Sequence, residues 1–294
     1  MRLAWLALAA LNFASPAPAA TGGASWLQDG VGARWLGMGG AARAAARDVH
    51  AGYWNPAALS AVGAETWEVG SMLSLQSMGR TTASLSGAWQ SDRAGTYALT
   101  WIRRSISGLE RVDDQGTVTE TSSSAADALL VSGGWAPLYQ LRAGLTVKLL
   151  RESVFDAAAS GFAADLGALF QPFLAEDLWV AATIENAAGS VAWKGGATDT
   201  PARAVGGGVA WRGWRDRLLI AADAVSRPDQ PTMAFHAGAE FWAVPMAAVR
   251  AGWNDGRPAA GASYVLKPYE LDYAFTFDPD SIGTRHQVSF LLHF

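Results

Sequence analysis

Cysteine is absent from the 294 residues, which excludes both a disulfide framework and a lipid-modified N-terminal cysteine. Charge is scarce as well. Asp, Glu, Lys and Arg make up 16% of the chain, against roughly 25% in average soluble domains. The net charge is −4 and no Lys/Arg cluster exists, so no nucleic-acid partner is expected. Long apolar runs are missing too. Beyond the N-terminus no stretch reaches the ~18 to 20 unbroken apolar residues that a membrane-spanning helix requires. Yet 50% of the residues are hydrophobic, so the apolar content comes in short pieces. Gly (32), Trp (14), Phe (11) and Tyr (6) are plentiful, and the aromatics favour strands over helices.

The N-terminus reads as an address. Met1-Arg2 supplies a minimal positive region, Leu3 to Phe13 an apolar one, and Ala17-Pro18-Ala19 a small-residue cleavage site. Pro16 and Pro18 argue against a buried helix there. The expectation is a signal peptide over 1–19, Sec-type export, and a mature chain divided into 20–64 and 65–294.

From residue 65 onward, period-2 alternation recurs with turn signals between segments. Leu141, Ala143, Leu145, Val147 and Leu149 face one way, and Arg142, Thr146 and Lys148 the other. Leu271, Tyr273, Phe275 and Phe277 oppose Asp272, Thr276 and Asp278. The pattern predicts strands at 65–76, 81–90, 95–106, 125–136, 141–152, 161–172 and 177–188. It continues at 203–213, 216–226, 232–243, 246–254, 258–267, 269–278 and 284–294. These fourteen segments have the length that a tilted transmembrane strand needs.

The connections alternate in length. Ser91–Ala94, Pro137–Gln140, Phe173–Glu176, Gly213–Arg215, Val244–Pro245 and Lys267–Pro268 are tight, whereas Ser107–Ser124 and Gly189–Ala202 are the two longest gaps. Short periplasmic turns and long extracellular loops are the habit of outer-membrane barrels. Trp89, Trp101, Trp135, Trp179, Trp211, Trp214, Tyr139 and Tyr269 near segment ends suit an interfacial aromatic girdle. The expected fold is therefore all-β: a transmembrane antiparallel barrel of about fourteen strands in the bacterial outer membrane, bounded by lipid. The alternation places Glu68, Arg142, Lys148, Asp165, Glu185, Asp223, Glu240, Arg250 and Asp272 in the lumen. Phe290, Leu292 and Phe294 close the chain as the expected insertion signal for the barrel-assembly machinery.

A barrel this wide is not filled by its own side chains, and 20–64 is the material available to fill it. Gly37-Met38-Gly39-Gly40 permits tight turns. Ala41 to Val49 is expected to be a short helix. Asn55-Pro56 offers an N-cap followed by proline at the first helical position, opening a second turn through Leu59. The reading is a compact helical and Gly-rich hatch in the lumen.

Residues 30–41, from Gly30 through Gly32, Arg34, Gly37, Met38, Gly39 and Gly40 to Ala41, followed by Asp48 and by Tyr53-Trp54-Asn55-Pro56-Ala57, carry a resemblance. So do Leu271 to Phe275 and Thr284 to Ser289. These stretches resemble the PorV/PorQ family, within the FadL-like group of outer-membrane proteins. The resemblance implies a fourteen-stranded barrel with an N-terminal hatch, shaped by Gly37, Gly39, Gly40, Asn55 and Pro56. It implies one of two functions: admission of hydrophobic compounds and their lateral release into the membrane, or a part in type IX secretion. Arg47-Asp48 stands where the family often has an acidic pair.

Catalytic patterns are wanting. His50, His236, His286 and His293 lack metal-ligand spacing. His236 and Glu240 share a predicted lumen face, but no G-x-S-x-G elbow accompanies them. Gly30-Val31-Gly32 lacks the third glycine and preceding strand of a dinucleotide site. No enzyme, metal or cofactor is expected. Two functions remain. A hatch-gated channel for apolar small molecules predicts an apolar pocket around Trp35, Met38, Tyr53 and Trp54. A secretion or surface-attachment scaffold predicts a partner at Ser107–Ser124 or Gly189–Ala202.

Overall fold

A computed structural model describes residues 23–62, 67–91, 95–173, 177–228, 230–278 and 283–294. The expected signal peptide lies outside the described residues, as do parts of the turns expected at 91–94 and 173–176. The strands are β1 (Trp67–Gln76), β2 (Arg80–Ser91), β3 (Gly95–Val112), β4 (Val118–Trp135) and β5 (Leu141–Val154). They continue as β6 (Ala157–Phe170), β7 (Asp177–Trp193), a two-residue β8 (Thr198–Asp199), β9 (Ala204–Gly213) and β10 (Leu218–Ser226). The last five are β11 (Ala234–Val244), β12 (Ala247–Asn254), β13 (Arg257–Leu266), β14 (Tyr269–Asp278) and β15 (Gly283–His293).

Every long strand pairs antiparallel with its neighbours in sequence, and β1 pairs with β15 from Glu68 opposite His293 to Gln76 opposite Arg285. The fourteen long strands thus form a closed ring. Closure follows from the surface. Leu73, Leu85, Leu149, Phe162, Ile220 and Phe235 all point outward and are about half exposed, a band of apolar surface that only lipid can solvate. Lipid offers no hydrogen-bond partner, so each unpaired N–H or C=O at a free edge would cost several kcal/mol. Phe290 and Phe294 are exposed and Leu292 half-buried on the same outer face.

Aromatic rings gather where the turns are short. Trp67, Trp89 and Tyr97 stack in sequence across β1–β3 at 6.0 and 5.9 Å, and Trp135 meets Tyr97 edge-on at 6.2 Å. Trp179 departs from the expected girdle. It is buried in the lumen, under Arg47 and Arg142, because it shares the inward face of β7 with Ala181 and Thr183.

Two expectations are corrected by the opposite rim. The predicted loop 107–124 is mostly a hairpin, with β3 and β4 paired to Val112 opposite Val118. Its five-residue tip is closed by Asp113, whose carboxylate accepts from the backbone N–H groups of Gln115 and Thr117, both at 2.9 Å. Likewise β7 runs on to Trp193 and β8 folds back on it. Val and Thr in these segments keep the backbone extended beyond the bilayer.

Residues 23–62 occupy the lumen. Helix α1 (Ala33–Gly37) packs on β12–β15, while α2 (Ala51–Trp54) and the 3-10 helix Pro56–Ala61 pack on β3–β6. The helix expected over 41–49 does not form; the segment is a series of turns. The N–H groups of Ala42 and Arg43 donate to the Asp223 carboxylate of the wall, at 2.9 and 3.0 Å. Docking to the wall overrides the helical propensity of alanine.

Candidate functional site

The site is the contact between hatch and wall. The hatch presses against glycines of the wall at two places. A Cβ on Gly144 would come within 2.2 Å of the Pro56 carbonyl carbon and Ala57 nitrogen, and one on Gly167 within 2.1 Å of Asn55 Oδ1. On the facing wall, a Cβ on Gly238 would meet Met38 O at 2.3 Å, and one on Gly252 would meet Gly39 N at 2.2 Å. Glycine at these wall positions is what lets the hatch sit flush.

Asn55 and Pro56 act as the sequence suggests. Asn55 Oδ1 accepts from Ala57 N at 3.1 Å, capping the 3-10 helix, with Pro56 at its start. Asn55 Nδ2 also donates to Arg43 O within the hatch and to Ala168 O on β6. A single side chain thus joins two hatch segments to the wall. Gly32 donates to Met72 Sδ at 3.2 Å, and Ala33 N to Ser289 Oγ at 2.8 Å.

Three arginines of the hatch engage carboxylates of the wall. Arg34 pairs with Glu240, which also pairs with Arg250; Arg250 in turn reaches Asp272 at 3.2 Å. Arg43 pairs with Glu185 and with Asp223. Arg47 pairs with Asp177 at 2.8 Å and stacks on Trp179, which also meets the Arg142 guanidinium and donates from Nε1 to Asp177. Buried pairs of this kind add little net stability, but removing one partner strands a charge at a cost of about 3–5 kcal/mol. They therefore dictate where the hatch sits more than how firmly the barrel folds. Glu240, Arg250, Asp272 and Arg142 were legible as lumen charges from alternation. Arg43 and Asp177 carried no such signal, because hatch position and strand-end geometry decide their role.

Asp48 is buried inside the hatch, accepting from Trp35 Nε1 at 2.8 Å and from the His50 backbone N–H at 3.0 Å. The His50 ring lies 3.5 Å from it. Burial opposes charge on both groups, but each counters it in the other: His50 is raised above its ordinary value and Asp48 lowered below its own. Tyr53 donates to Leu27 O and accepts from Gly30 N, and burial raises its phenol, keeping it protonated. Trp54 Nε1 donates to Val31 O.

Not every predicted lumen charge reaches the hatch. Lys148 and Asp165 pair with each other at 2.8 Å across β5 and β6. Glu68 pairs with His293, a residue the sequence left unassigned, which also lies 3.3 Å from Glu270. His236 shares the lumen face of Glu240 but holds Gly39 O at 3.1 Å. Among the described residues no group of three or more His, Cys, Asp or Glu is placed to hold a metal.

The expected apolar pocket is absent from the described residues. Trp35 and Met38 are wholly packed in the core. Tyr53 and Trp54 border an enclosed cavity of about 60 Å³ that Arg43, Lys148 and Glu185 also line. Charged groups enter because the lumen face of the wall is polar. Two wider cavities flank the hatch. One, of about 360 Å³, lies toward the long-loop rim beside Gln287 and Arg285; the other, of about 570 Å³, lies at the turn end.

No protein-family model matches the chain, and no curated protein matches it in sequence. Solved structures do match. The Ralstonia pickettii toluene transporter TbuX superposes with a TM-score of 0.60 at 13% identity, over 90% of this chain and 98% of that one. The Pseudomonas putida toluene transporter TodX gives 0.61 at 14%, over 90% and 97%. The monoaromatic hydrocarbon channel CymD gives 0.60 at 15%, over 90% and 98%. Identity this low speaks for fold alone, and on that ground the protein, a closed fourteen-stranded transmembrane barrel filled by residues 23–62, shares its fold with the hydrocarbon channels.

Proposed function

We propose that this protein is an outer-membrane channel of the FadL-like kind, admitting apolar small molecules past a movable hatch. The observation that carries the reading is a break in the wall at Asp165. Ala164 lies opposite Ala188 and Leu166 opposite Ile184, so one residue of β6 faces three of β7, Glu185 to Ala187. Asn186 takes a left-handed φ of 51° there. Among the described residues, the other register shifts lie in the projecting β3–β4 hairpin and beside the β11–β12 turn. The break at Asp165 instead sits between lipid-facing Phe162 and Leu166, and its Glu185 and Asn186 line the enclosed cavity. A molecule entering beside Tyr53 and Trp54 would meet lipid where the fewest ladder hydrogen bonds must part.

The hatch has a segment suited to moving. Helix α1 is flanked by Gly30 and Gly32 on one side and Gly39 and Gly40 on the other, with φ of 86°, 87°, 69° and 78°. Four left-handed glycines around one helical turn are natural hinges. The barrels of the same fold transport toluene or conduct monoaromatic hydrocarbons, which supports an apolar cargo and an outer-membrane location. The test removes the two extra residues, Asn186 and Ala187, to restore a regular β6–β7 ladder. Toluene uptake by cells making this variant is expected to fall by about tenfold at equal barrel abundance, given that bulges re-aim and open a ladder locally. Unchanged uptake overturns the proposal.

A second reading, a PorV/PorQ-like secretion or attachment component, draws on the hairpin. β2 stops pairing with β3 at Arg80 opposite Ile106, and β4 stops pairing with β5 at Ser124 opposite Val154. Residues 108–123 therefore project beyond both neighbouring ladders, touched from the β5–β6 turn by Asp156 and Phe155 at Arg111, a surface open to strand addition. Co-purification of a protein partner that is lost on deleting the hairpin would favour this reading.

A further inference from the structure

Charge on the lipid-facing wall is confined to one patch. In register across β3, β4 and β5, Arg103 lies opposite Asp127 and Asp127 opposite Arg151, with Ala83 and Ser160 at the ends of the row. All three charged side chains point outward, since Ile102, Ala128 and Leu150 beside them are buried. Between the turn end and this row, the outward face of the long strands carries no other Asp, Glu, Lys or Arg among the described residues. The next outward row down is apolar: Leu85, Trp101, Leu129, Leu149 and Phe162.

Height gives the row its meaning. Arg151 stands ten positions above Leu141, the first residue of β5 (151 − 141), about 33 Å along the strand. At the usual tilt that is about 25 Å along the membrane normal, the height of a barrel's apolar band. With the long-loop rim outward, the row stands where acyl chains end and outer-leaflet headgroups begin. Arginine on a lipid-facing strand is costly at mid-membrane and tolerated at that boundary. The charges do not cancel. Asp127 lies 3.4 Å from Arg103 and also accepts from Trp101 Nε1 at 3.2 Å. Arg151 has no carboxylate within ion-pair distance among the described residues. Two cations against one carboxylate leave a positive charge facing the headgroups.

We propose that this patch docks a phosphorylated glycolipid of the outer leaflet, with a phosphate on Arg103 and Arg151 and acyl chains against Trp101, Leu149 and Phe162. A guanidinium meets phosphate through paired, charge-assisted hydrogen bonds, which match its planar fork. Two strands separate the arginines, about 10 Å at the backbone, so their long side chains converge on one phosphate from either side. Trp101 and Arg103 share one oxygen of Asp127, Oδ1, which draws that carboxylate toward β3 and leaves the Arg151 guanidinium to the lipid. The patch lies outside the lumen and goes beyond the channel reading: it depends on the outer-membrane location and not on any cargo crossing the wall.

The test titrates the full barrel in detergent with diphosphoryl lipid A, and with phosphatidylcholine as a lipid of no net charge, counting bound lipid by native mass spectrometry. Lipid A is expected to bind at least about tenfold tighter than phosphatidylcholine. Arg103→Gln/Arg151→Gln is expected to lose about tenfold in lipid A affinity while binding phosphatidylcholine as before. Arg217→Gln/Lys267→Gln, which removes the same charge at the turn end, should keep the parent's affinity. The single variants Arg103→Gln and Arg151→Gln serve if the double variant does not assemble, each expected to weaken lipid A about threefold. Inorganic phosphate, which lacks acyl chains, should leave bound lipid A in place. Equal affinity for the two lipids, an equal loss in both double variants, lipid A binding untouched by the Arg103 and Arg151 substitutions, or displacement by inorganic phosphate overturns the proposal.

Discussion

Arg34 on the hatch grips Glu240 on β11 with both arms of its guanidinium, Nε to Oε2 at 2.9 Å and Nη2 to Oε1 at 2.7 Å. Trp242 Nε1 donates to the same carboxylate at 2.9 Å. Arg34→Ala leaves Arg250 as the one cation on Glu240, beside the Trp242 N–H, and loosens α1 from the wall. Backbone hydrogen exchange over Ala33–Gly37 is expected to accelerate at least about tenfold, while strand amides are unchanged. A double-mutant cycle with Glu240→Gln should give a coupling of about 1–3 kcal/mol; strict additivity would show that the pair is incidental.

The glycine seats offer a steric test. Gly252→Ala puts a methyl 2.2 Å from Gly39 N, with backbone on both sides and no flexible side chain to yield. The barrel should still form and resist unfolding, but the hatch should leave its seat. Single-channel recording in planar bilayers is expected to show a larger or noisier conductance. Gly87→Ala, where nothing lies within 4 Å of the added carbon, is the neutral control.

The Asp48–His50 pair makes docking depend on pH. Burial opposes charge on both, but Asp48 raises His50 and His50 lowers Asp48. A raised histidine stabilises the docked hatch fully below its ordinary value of about 6.5, and that stabilisation is lost as pH rises through the raised value. A lowered aspartate contributes above about 3.9, and its share is lost as pH falls through the lowered value. Docking is therefore strongest between the two limits. The chain has no cysteine, so Ala41→Cys places a single, wholly buried thiol in the hatch. Its labelling, corrected for thiolate content against an exposed reference cysteine, should rise toward alkaline pH, and Asp48→Asn should flatten that rise.

Closure of the ring carries its own signature. His293 lies between Glu68 of β1 and Glu270 of β14, at 3.2 and 3.3 Å, and Phe294 N donates to Trp67 O at 3.0 Å. His293→Ala leaves two buried carboxylates without the cation that lies between them. Heat-modifiable migration on gels should disappear at a lower temperature than for the parent. Removing Phe294, the last residue of the proposed insertion signal, should reduce the yield of assembled barrel while leaving the melting of assembled molecules nearly unchanged.

The wall was readable because its rule is local. Leu145 and Val147 face out and Thr146 and Lys148 face in, since successive strand residues point to opposite sides. All fourteen strands follow from that alternation, and the strand that starts near residue 67 does pair with the last. Trp179 was misassigned because proximity to a strand end does not reveal which face a ring takes. The hatch was less legible. Asn55-Pro56 carries its capping role in its own chemistry, whereas Ala41 to Val49 reads as helix until Asp223, some 180 residues away, claims its N–H groups.

Taken alone, then, the order of residues settles strand number, the lipid and lumen faces, and the presence of a compact filler rich in glycine. Each depends on side-chain period or on a residue's own backbone preference. Which arginine meets which carboxylate, and where the ladder of β6 and β7 parts, are settled only by the folded ring. Closure brings together positions far apart in the chain, and electrostatic and steric complementarity there depends on distance through space, which no pattern of neighbours encodes.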